Sequence, residues 1–424
     1  MSVGRQKARS SLAPVRRALR DTTIFPAKRS SSECQQIINF TLTPFIFRLQ
    51  FSGCFIAVVI IKGTILPTSR FSFPLFVIRD IFIAVSIFAL SASLLASTTD
   101  EMPVGDTATE GLNTKRVTIL SYNIQQLGYP NWAGNHFEKE RLELIPQTLL
   151  ALEKRPSVLI FQEAFTTHAF DFLVSELSEH YPHHTLVAAE NCEDPAWTSV
   201  SANCEMDTVK SNSGVLILSQ WPIEEQHAYV YDAVRISKSF DFMAQKGVVY
   251  AKIRVGTEQP SHIHVFGTHL QATAKDHDIR MLQVSEMREF INGFGIPAEE
   301  PVILGGDFNV SSIQQSRLDD LLAGANVALR FETQGVGSSS DATNGYRQLL
   351  SGSEAKPRPE KTLDYVFYRT DHLRPVSQPE LRVIDLKSKA AWTGARLFNP
   401  DVEISDLSDH YPVAMDFVFP DQSR

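Results

Sequence analysis

Cysteine is scarce in this chain, with only Cys34, Cys54, Cys192 and Cys204 among 424 residues. None has a companion Cys or His pair at metal-ligand spacing, which excludes a zinc-finger-like site. Acidic residues are nearly missing from the first 99 positions, which hold 3 of the 48 Asp and Glu but 12 of the 40 Lys and Arg. That leaves 28 basic against 45 acidic side chains in the rest, a −17 body behind a +9 leader. A body that acidic repels a phosphate backbone unless metal ions or a local basic groove offset the field, so general nucleic-acid binding is disfavoured. No repeat recurs at periods of 20 to 50 residues, which excludes solenoids and propellers.

The leader, residues 1–98, opens with a basic, Ser-rich stretch from Arg5 to Arg29 and carries an apolar run, Phe51–Leu66, broken by Lys62. A second run, Ile81–Ala96, has no charge and follows Arg79. Its length lies between a signal-peptide core and the roughly 20 residues that cross a bilayer. Small residues Ser91, Ala92, Ser93 and Ala96 near its end suit cleavage after export. The expectation is a secreted or periplasmic protein, with anchoring by residues 81–96 as the alternative. No methionine separates Met1 from Met102, so no shorter ordinary start lies within the leader. In such a compartment Cys192 and Cys204, bracketing a short polar segment, read as a disulfide that stabilises by roughly 2–3 kcal/mol.

What the rest contains is a folding pattern. Short β-branched runs at Val117–Tyr122, Val158–Phe161, Gly214–Leu218, Val248–Val255, His262–Thr268, Val302–Leu304, Leu363–Tyr368 and Val413–Val418 read as strands. Helical spacing predicts Glu138–Lys154, with a kink at Pro146, and Asp276–Asn292, with Ile279, Leu282 and Phe290 on one side. Strands and helices do not alternate simply, so the expected class is mixed α and β: two packed sheets flanked by helices over residues 115–420. Gly335–Ser340 and Ser351–Pro359 read as loops.

Polar residues recur where those strands end: Asn123, Glu163, His269, Asp307 with Asn309, Asp364, and Asp409 with His410. One such residue is usually a cap or a turn. A whole set of them can converge on one rim of a sheet packing, and its chemistry is that of metal-assisted phosphoryl transfer. Glu163, Asn123, Asp307 and Asp409 are hard oxygen donors suited to Mg²⁺. His269 and His410 would serve protons and charge, with Asp364 orienting one of them.

The ordered set Ser-Tyr-Asn123, Gln-Glu163, Gly-Thr-His269-Leu-Gln271, Gly-Gly-Asp307-Phe-Asn309, Leu-Asp364-Tyr and Ser-Asp409-His410 resembles the endonuclease/exonuclease/phosphatase superfamily. The fold this implies is a DNase I-like four-layer α/β sandwich. Within the superfamily the sequence is similar to bacterial neutral sphingomyelinases, through Tyr129–Trp132, Lys246–Tyr250, Gly267–Ala272 and Ser408–Val413, with Gly214–Pro222 in support. Where that family shows Asn-Glu, this chain has Gln162-Glu163, which keeps the ligand itself.

The resemblance implies Glu163 as the principal metal ligand with Asn123 near it, His410 as general base supported by Asp364, and Asp307 and Asn309 positioning water, phosphate or a second metal. Asp409 would lie close to the metal. His269 would stabilise developing charge or protonate the leaving oxygen; the letters leave open which histidine is acid and which base. Gln271 and Lys246 are softer candidates. The implied cofactor is Mg²⁺, with Mn²⁺ or Co²⁺ as alternatives, and the implied substrate is sphingomyelin, met by a monomer through peripheral membrane contact and without nucleic acid. A stretch from Ala390 to Phe398, turned at Gly394, falls where that family has a membrane-inserting hairpin, which assigns Trp392, Leu397 and Phe398 to the lipid surface; the alternative is an ordinary core hairpin. A nuclease or phosphoinositide phosphatase of the same superfamily, and an inactive tethered binding module, are the rival functions. The phosphatases' Trp-Cys-Asp-Arg stretch is absent, and Glu163, Asp307 and His410 are all retained.

Overall fold

The computed structural model describes residues 46–51, 54–59, 114–128, 137–201, 203–204, 211–234, 240–256, 261–332, 337–351, 359–394 and 402–420. The chain divides into two compact units, Met1–Pro103 and Val104–Arg424. In the first, β1 (Ile46–Phe51) and β2 (Cys54–Val59) pair as an antiparallel hairpin. The apolar run Ile81–Ala96 lies outside the described residues. Among those described, no helix is long and apolar enough to cross a membrane.

The second unit is built on two sheets. Six strands form one: β3 (Thr114–Gln126), β4 (Val158–Ala164), β5 (His183–His184), β7 (Leu216–Ser219), β14 (Leu381–Val383) and β17 (Val413–Pro420), in the order β14-β17-β3-β4-β7-β5. The other has seven: β6 (Ser199–Val200), β8 (Ile223–Val230), β9 (Gly247–Val255), β10 (Ser261–His269), β11 (Val302–Asp307), β12 (Val327–Ala328) and β13 (Asp364–Arg369), in the order β12-β13-β11-β10-β9-β8-β6. Each sheet has a parallel pair at its heart, β3 with β4 and β10 with β11. Those four strands therefore end in pairs on the same side of their sheets.

Alternation along the strands sorts the layers. Val117 and Ile119 of β3, with Ile160 of β4, Ile217 of β7 and Val215 just before it, join the core cluster that contains the second sheet. Leu120, Tyr122, Leu159, Phe161, Leu216 and Leu218 face the other way, under α1 (Glu138–Leu150) and α2 (Thr167–Leu177). The outer face of the second sheet is covered by α3 (His277–Gly293) and α4 (Gln315–Ala325) through Val284, Met287, Ile291, Leu318 and Leu321. Four layers result. The sheets approach closely where Gly267 and Gly305 face Ile160, and a Cβ on either glycine would lie 2.8 or 2.6 Å from that side chain.

Each of the eight runs expected as strands holds one, with β7 starting at Leu216 rather than Gly214 and β13 at Asp364 rather than Leu363. The expected apolar side of α3 differs: Leu282 is exposed, and the buried face is Arg280, Gln283, Val284, Met287 and Ile291. Arg280 can be buried because its Nη1 donates to the carbonyls of Gln271, Ala272 and Thr273, the segment that follows His269. Pro146 sits inside α1, which ends at Leu150, ahead of the expected Lys154. Cys192 and Cys204 form the expected disulfide.

The stretch assigned to the lipid surface begins in β15 (Lys387–Gly394), which pairs antiparallel with β16 (Val402–Asp406) and has Gly394 as its last residue. Trp392 corrects the membrane assignment, because it is 5% exposed and packs against Phe137 and Tyr346 at ring separations of 5.3 and 5.5 Å. Its Nε1–H donates to the Asp406 carbonyl at 2.9 Å. An indole with both its ring and its donor satisfied inside the protein gains nothing from the headgroup region. Leu397 and Phe398 lie outside the described residues. Trp392→Ala is therefore expected to cost about 3–5 kcal/mol of stability, and thermal denaturation checks it; a variant as stable as the parent would return Trp392 to the surface.

Candidate active site

The parallel pairs bring the polar strand ends together. On the second sheet His269 pairs with Asp307 across β10 and β11, and Asp307 pairs with Asp364 across β11 and β13. Three adjacent strands thus carry His269, Asp307 and Asp364 on one rung. On the first sheet Asn123 pairs with Gln162, the residue before Glu163. The two edges meet through Asn123, whose Nδ2 donates to Glu163 Oε1 at 2.9 Å and Asp307 Oδ2 at 3.2 Å while its Oδ1 accepts from the Gln125 N–H.

The backbone here is held in unusual conformations. Gln125, Glu163 and Asn309 are non-glycine residues with φ of 49°, 60° and 51°. Each left-handed residue costs of order 1–3 kcal/mol, and such strain concentrates where a site needs a side chain aimed against the local preference. At Glu163 it turns the carboxylate at the end of β4, where Asn123 meets it. At Asn309 it accompanies a turn in which the Asn309 N–H donates to Asp307 Oδ1 at 2.8 Å.

Two histidines flank the carboxylates with different partners. His269 Nε2 lies 3.6 Å from Asp307 Oδ2 and 3.8 Å from Glu163 Oε1, and Lys246 Nζ donates to it at 2.9 Å. Asn309 Nδ2 reaches the same ring nitrogen at 3.3 Å and the Leu270 carbonyl at 3.1 Å. Burial, then the Lys246 and His410 charges, hold the His269 pKa well below the ordinary value, so this imidazole is neutral. His410 has the opposite bias. Its Nδ1 lies 2.7 Å from Asp364 Oδ2 and 4.0 Å from Asp307 Oδ2. Burial alone would lower its pKa, but the charges of Asp364 and Asp409, the bond to Asp364 and the charge of Asp307 outweigh that and hold it well above the usual range.

The donor set suits a hard cation. Glu163, His269 and Asp307 offer ligand atoms within 4.8 Å of one another, as do Asp307, Asp364 and His410. Burial and the neighbouring Asp409 push Glu163 up to about 7, and burial with Asp364 pushes Asp307 up to about 6. Carboxylates raised this way are short of positive charge, and Lys246 beside them is already bonded to Asp241 at 2.7 Å. Oxygen donors crowded with excess negative charge fit a divalent ion.

The structure thus brings together Asn123, Glu163, His269, Asp307, Asn309, Asp364 and His410, with Asp409 acting on Glu163 and His410 through its charge. Lys246, a softer candidate from the sequence, belongs to the site. Gln271 is buried, its main-chain N–H bonded to Gln283 Oε1, and its Nε2 has no partner among the described residues. Sequence reasoning missed Asp241, Arg141 and Ser339. Arg141 is fully buried and donates to the carbonyls of Ile124, Gln125 and Leu407, tying the segment after Asn123 to the one before Asp409. Its signal was a charged residue on the apolar face of α1.

Comparison with known proteins agrees with this geometry. The model of the Endonuclease/Exonuclease/phosphatase family matches residues 120–410. A phospholipase C of Staphylococcus aureus is 30% identical over 78% of this chain and 95% of its own length. A sphingomyelinase C of Bacillus cereus is 31% identical over 73% of this chain and 90% of its own. Among solved structures, sphingomyelinase C from Streptomyces griseocarneus superposes with a TM-score of 0.60 at 27% identity, covering 72% of this chain and 99% of that one. A double mutant of beta toxin from Staphylococcus aureus, with bound magnesium ions, does so with a TM-score of 0.60 at 29% identity, covering 71% and 99%. The chain belongs to the Endonuclease/Exonuclease/phosphatase family and stands there among the bacterial sphingomyelinases C.

Proposed function

We propose that the protein hydrolyses the phosphodiester of sphingomyelin in the manner of a phospholipase C, giving ceramide and phosphocholine. The observation that carries this reading is the convergence of Glu163, Asn123, His269 and Asp307 beside a separate Asp364–His410 pair. Glu163 and Asp307 would hold a divalent cation, Mg²⁺ foremost, with Asn123 between them and the Asp409 charge adding to its attraction. When bound, such an ion would stabilise negative charge on the phosphoryl oxygens and offset the carboxylate field that keeps His410 protonated.

The chain's own residues do the rest. Asp364 fixes the proton on His410 Nδ1, which leaves Nε2 to take a proton from the attacking water. As water oxygen bonds to phosphorus, the bond from phosphorus to the ceramide oxygen breaks, and that oxygen takes up a proton. His269 and Lys246 lie on the other side of Asp307, where they stabilise the charge that develops; the ammonium and imidazole together can deliver the proton to the leaving oxygen. Asn309 holds the His269 ring in place. Export by the leader would put this chemistry at lipid surfaces outside the cytoplasm, approached through the β15–β16 hairpin with Leu397 and Phe398 beyond its described strands.

Phosphocholine release by the full chain tests the reading. Sphingomyelin vesicles with Mg²⁺ should be turned over, phosphatidylcholine and plasmid DNA should be poorer substrates, and EDTA should lower the rate at least about a hundredfold, as loss of metal charge stabilisation implies. DNA cleavage faster than sphingomyelin hydrolysis would transfer the site to a nuclease. An undiminished rate in EDTA would remove the cation from it.

A further inference from the structure

One buried hydroxyl sits beside the Asp364–His410 pair. Ser339 lies in a serine-rich loop and is 0% exposed. Its Oγ–H donates to Asp364 Oδ2 at 2.6 Å, the same oxygen that faces His410 Nδ1 at 2.7 Å. The same Oγ accepts the Leu363 N–H at 3.0 Å, at the residue where the chain enters β13. The Ser339 carbonyl accepts the N–H of Tyr411, next to His410, at 2.7 Å. A single residue therefore touches the carboxylate through its side chain and, through its backbone, the main-chain N–H of the residue that follows the histidine.

The arrangement matters because Asp364 is held at one oxygen only. Its Oδ1 is buried and has no hydrogen-bond partner among the described residues. A carboxylate bonded only to the ring it must orient can swing with that ring. The hydroxyl gives Oδ2 a second bond that does not come from His410. A hydroxyl is also the group that can donate to the carboxylate and accept from the Leu363 N–H at one atom. The loop has anchors besides that side chain. The Ser340 N–H donates to the Lys361 carbonyl at 2.9 Å and Arg347 Nη1 to the Ser340 carbonyl at 2.7 Å.

We propose that Ser339 is a positioning residue for the reaction, setting the orientation of Asp364 and through it the ring orientation and tautomer of His410. The kinetic side of this rests on the phosphodiesterase reading above. The bland account is a buried hydroxyl that merely satisfies its neighbours, and the two accounts part at kcat.

The test uses the full chain with Mg²⁺ and sphingomyelin vesicles. Ser339→Ala should lower kcat about 10- to 50-fold with KM within about twofold, because an interaction that acts only through the base is lost. In an Asp364→Asn background the same substitution should add less than about twofold, since residues acting as a unit are not additive. Independently of turnover, the His410 Nδ1–H proton resonance of ¹⁵N-histidine-labelled protein should shift or broaden in Ser339→Ala. If Ser339→Ala does not fold, Ser339→Cys, which keeps the volume and weakens the donor, goes through the same measurements. A folded variant with parental kcat, an equal loss in both backgrounds, or an unmoved resonance each overturns the proposal. If the parent protein releases no phosphocholine, the functional reading fails and the resonance alone decides the role of Ser339.

Discussion

His410→Ala should retain the fold and lose at least about a hundredfold in kcat, the magnitude expected when a general base is removed from a phosphodiester hydrolase. The expectation follows from how the ring is held. Its Nδ1 faces Asp364 Oδ2 at 2.7 Å, so the proton stays on that nitrogen and Nε2 is left for water. Its burial removes competing solvent. KM should change little, because on the proposed reading the imidazole meets the water and not the lipid. A melting temperature within a few degrees of the parent's would show that the loss is chemical, and parental turnover in such a folded variant would take His410 out of the reaction. His269→Ala should also slow turnover, but through a different dependence: its ring is neutral and bonded to Lys246, so on the proposed reading its loss would remove stabilisation of the leaving side.

Much of this site was legible before the fold was known, and the reason is local. Asn123, Glu163, His269 and Asp307 each follow a short hydrophobic run, and a polar residue there breaks the pattern in a way that one run's letters reveal. Their convergence needed only the parallel pairing of β3 with β4 and of β10 with β11. Where function or burial depends on distant partners, the letters said less. Trp392 read as an interfacial aromatic because Phe137 and Tyr346, which cover it, are far away in sequence. Leu282 read as core because helical spacing gives a stripe but not its direction, and the bonds of Arg280 to the loop after His269 turned α3 the other way. β8 escaped notice because Ile223–Val230 is filled with Glu224, Glu225, Gln226 and His227, whose partners Lys252, Arg254 and Ser199 are supplied by other elements. Ser339 could not stand out at all, since a serine among serines gains its meaning only from the carboxylate it meets.

Glu163→Gln is the substitution that isolates the cation. The side chains are nearly the same shape, and Asn123 Nδ2 can donate to a Gln carbonyl as it does to the Glu163 carboxylate. What changes is charge, in a cluster where the Asp409 charge already raises Glu163 and the Asp364 charge raises Asp307. Without a cation the variant should therefore be as stable as the parent or more so, because a buried carboxylate that raised the field is gone. With Mg²⁺ the order should reverse: the parent should gain melting temperature as the ion binds, and the variant should gain little. Protons enter with a definite sign. In the metal-free protein Glu163 is pushed up to about 7, so below that pH it holds a proton the ion must displace. Mg²⁺ affinity of the parent should weaken as the pH falls from 8 to 6, and binding should release protons over that range. Gln cannot titrate, so the variant's weak affinity should change less with pH. Turnover at saturating sphingomyelin should drop about a hundredfold or more, the scale of losing metal-held charge stabilisation. Calorimetric titration reads affinity and proton release without any substrate, and an unchanged Mg²⁺ affinity in Glu163→Gln would move the ion to other ligands.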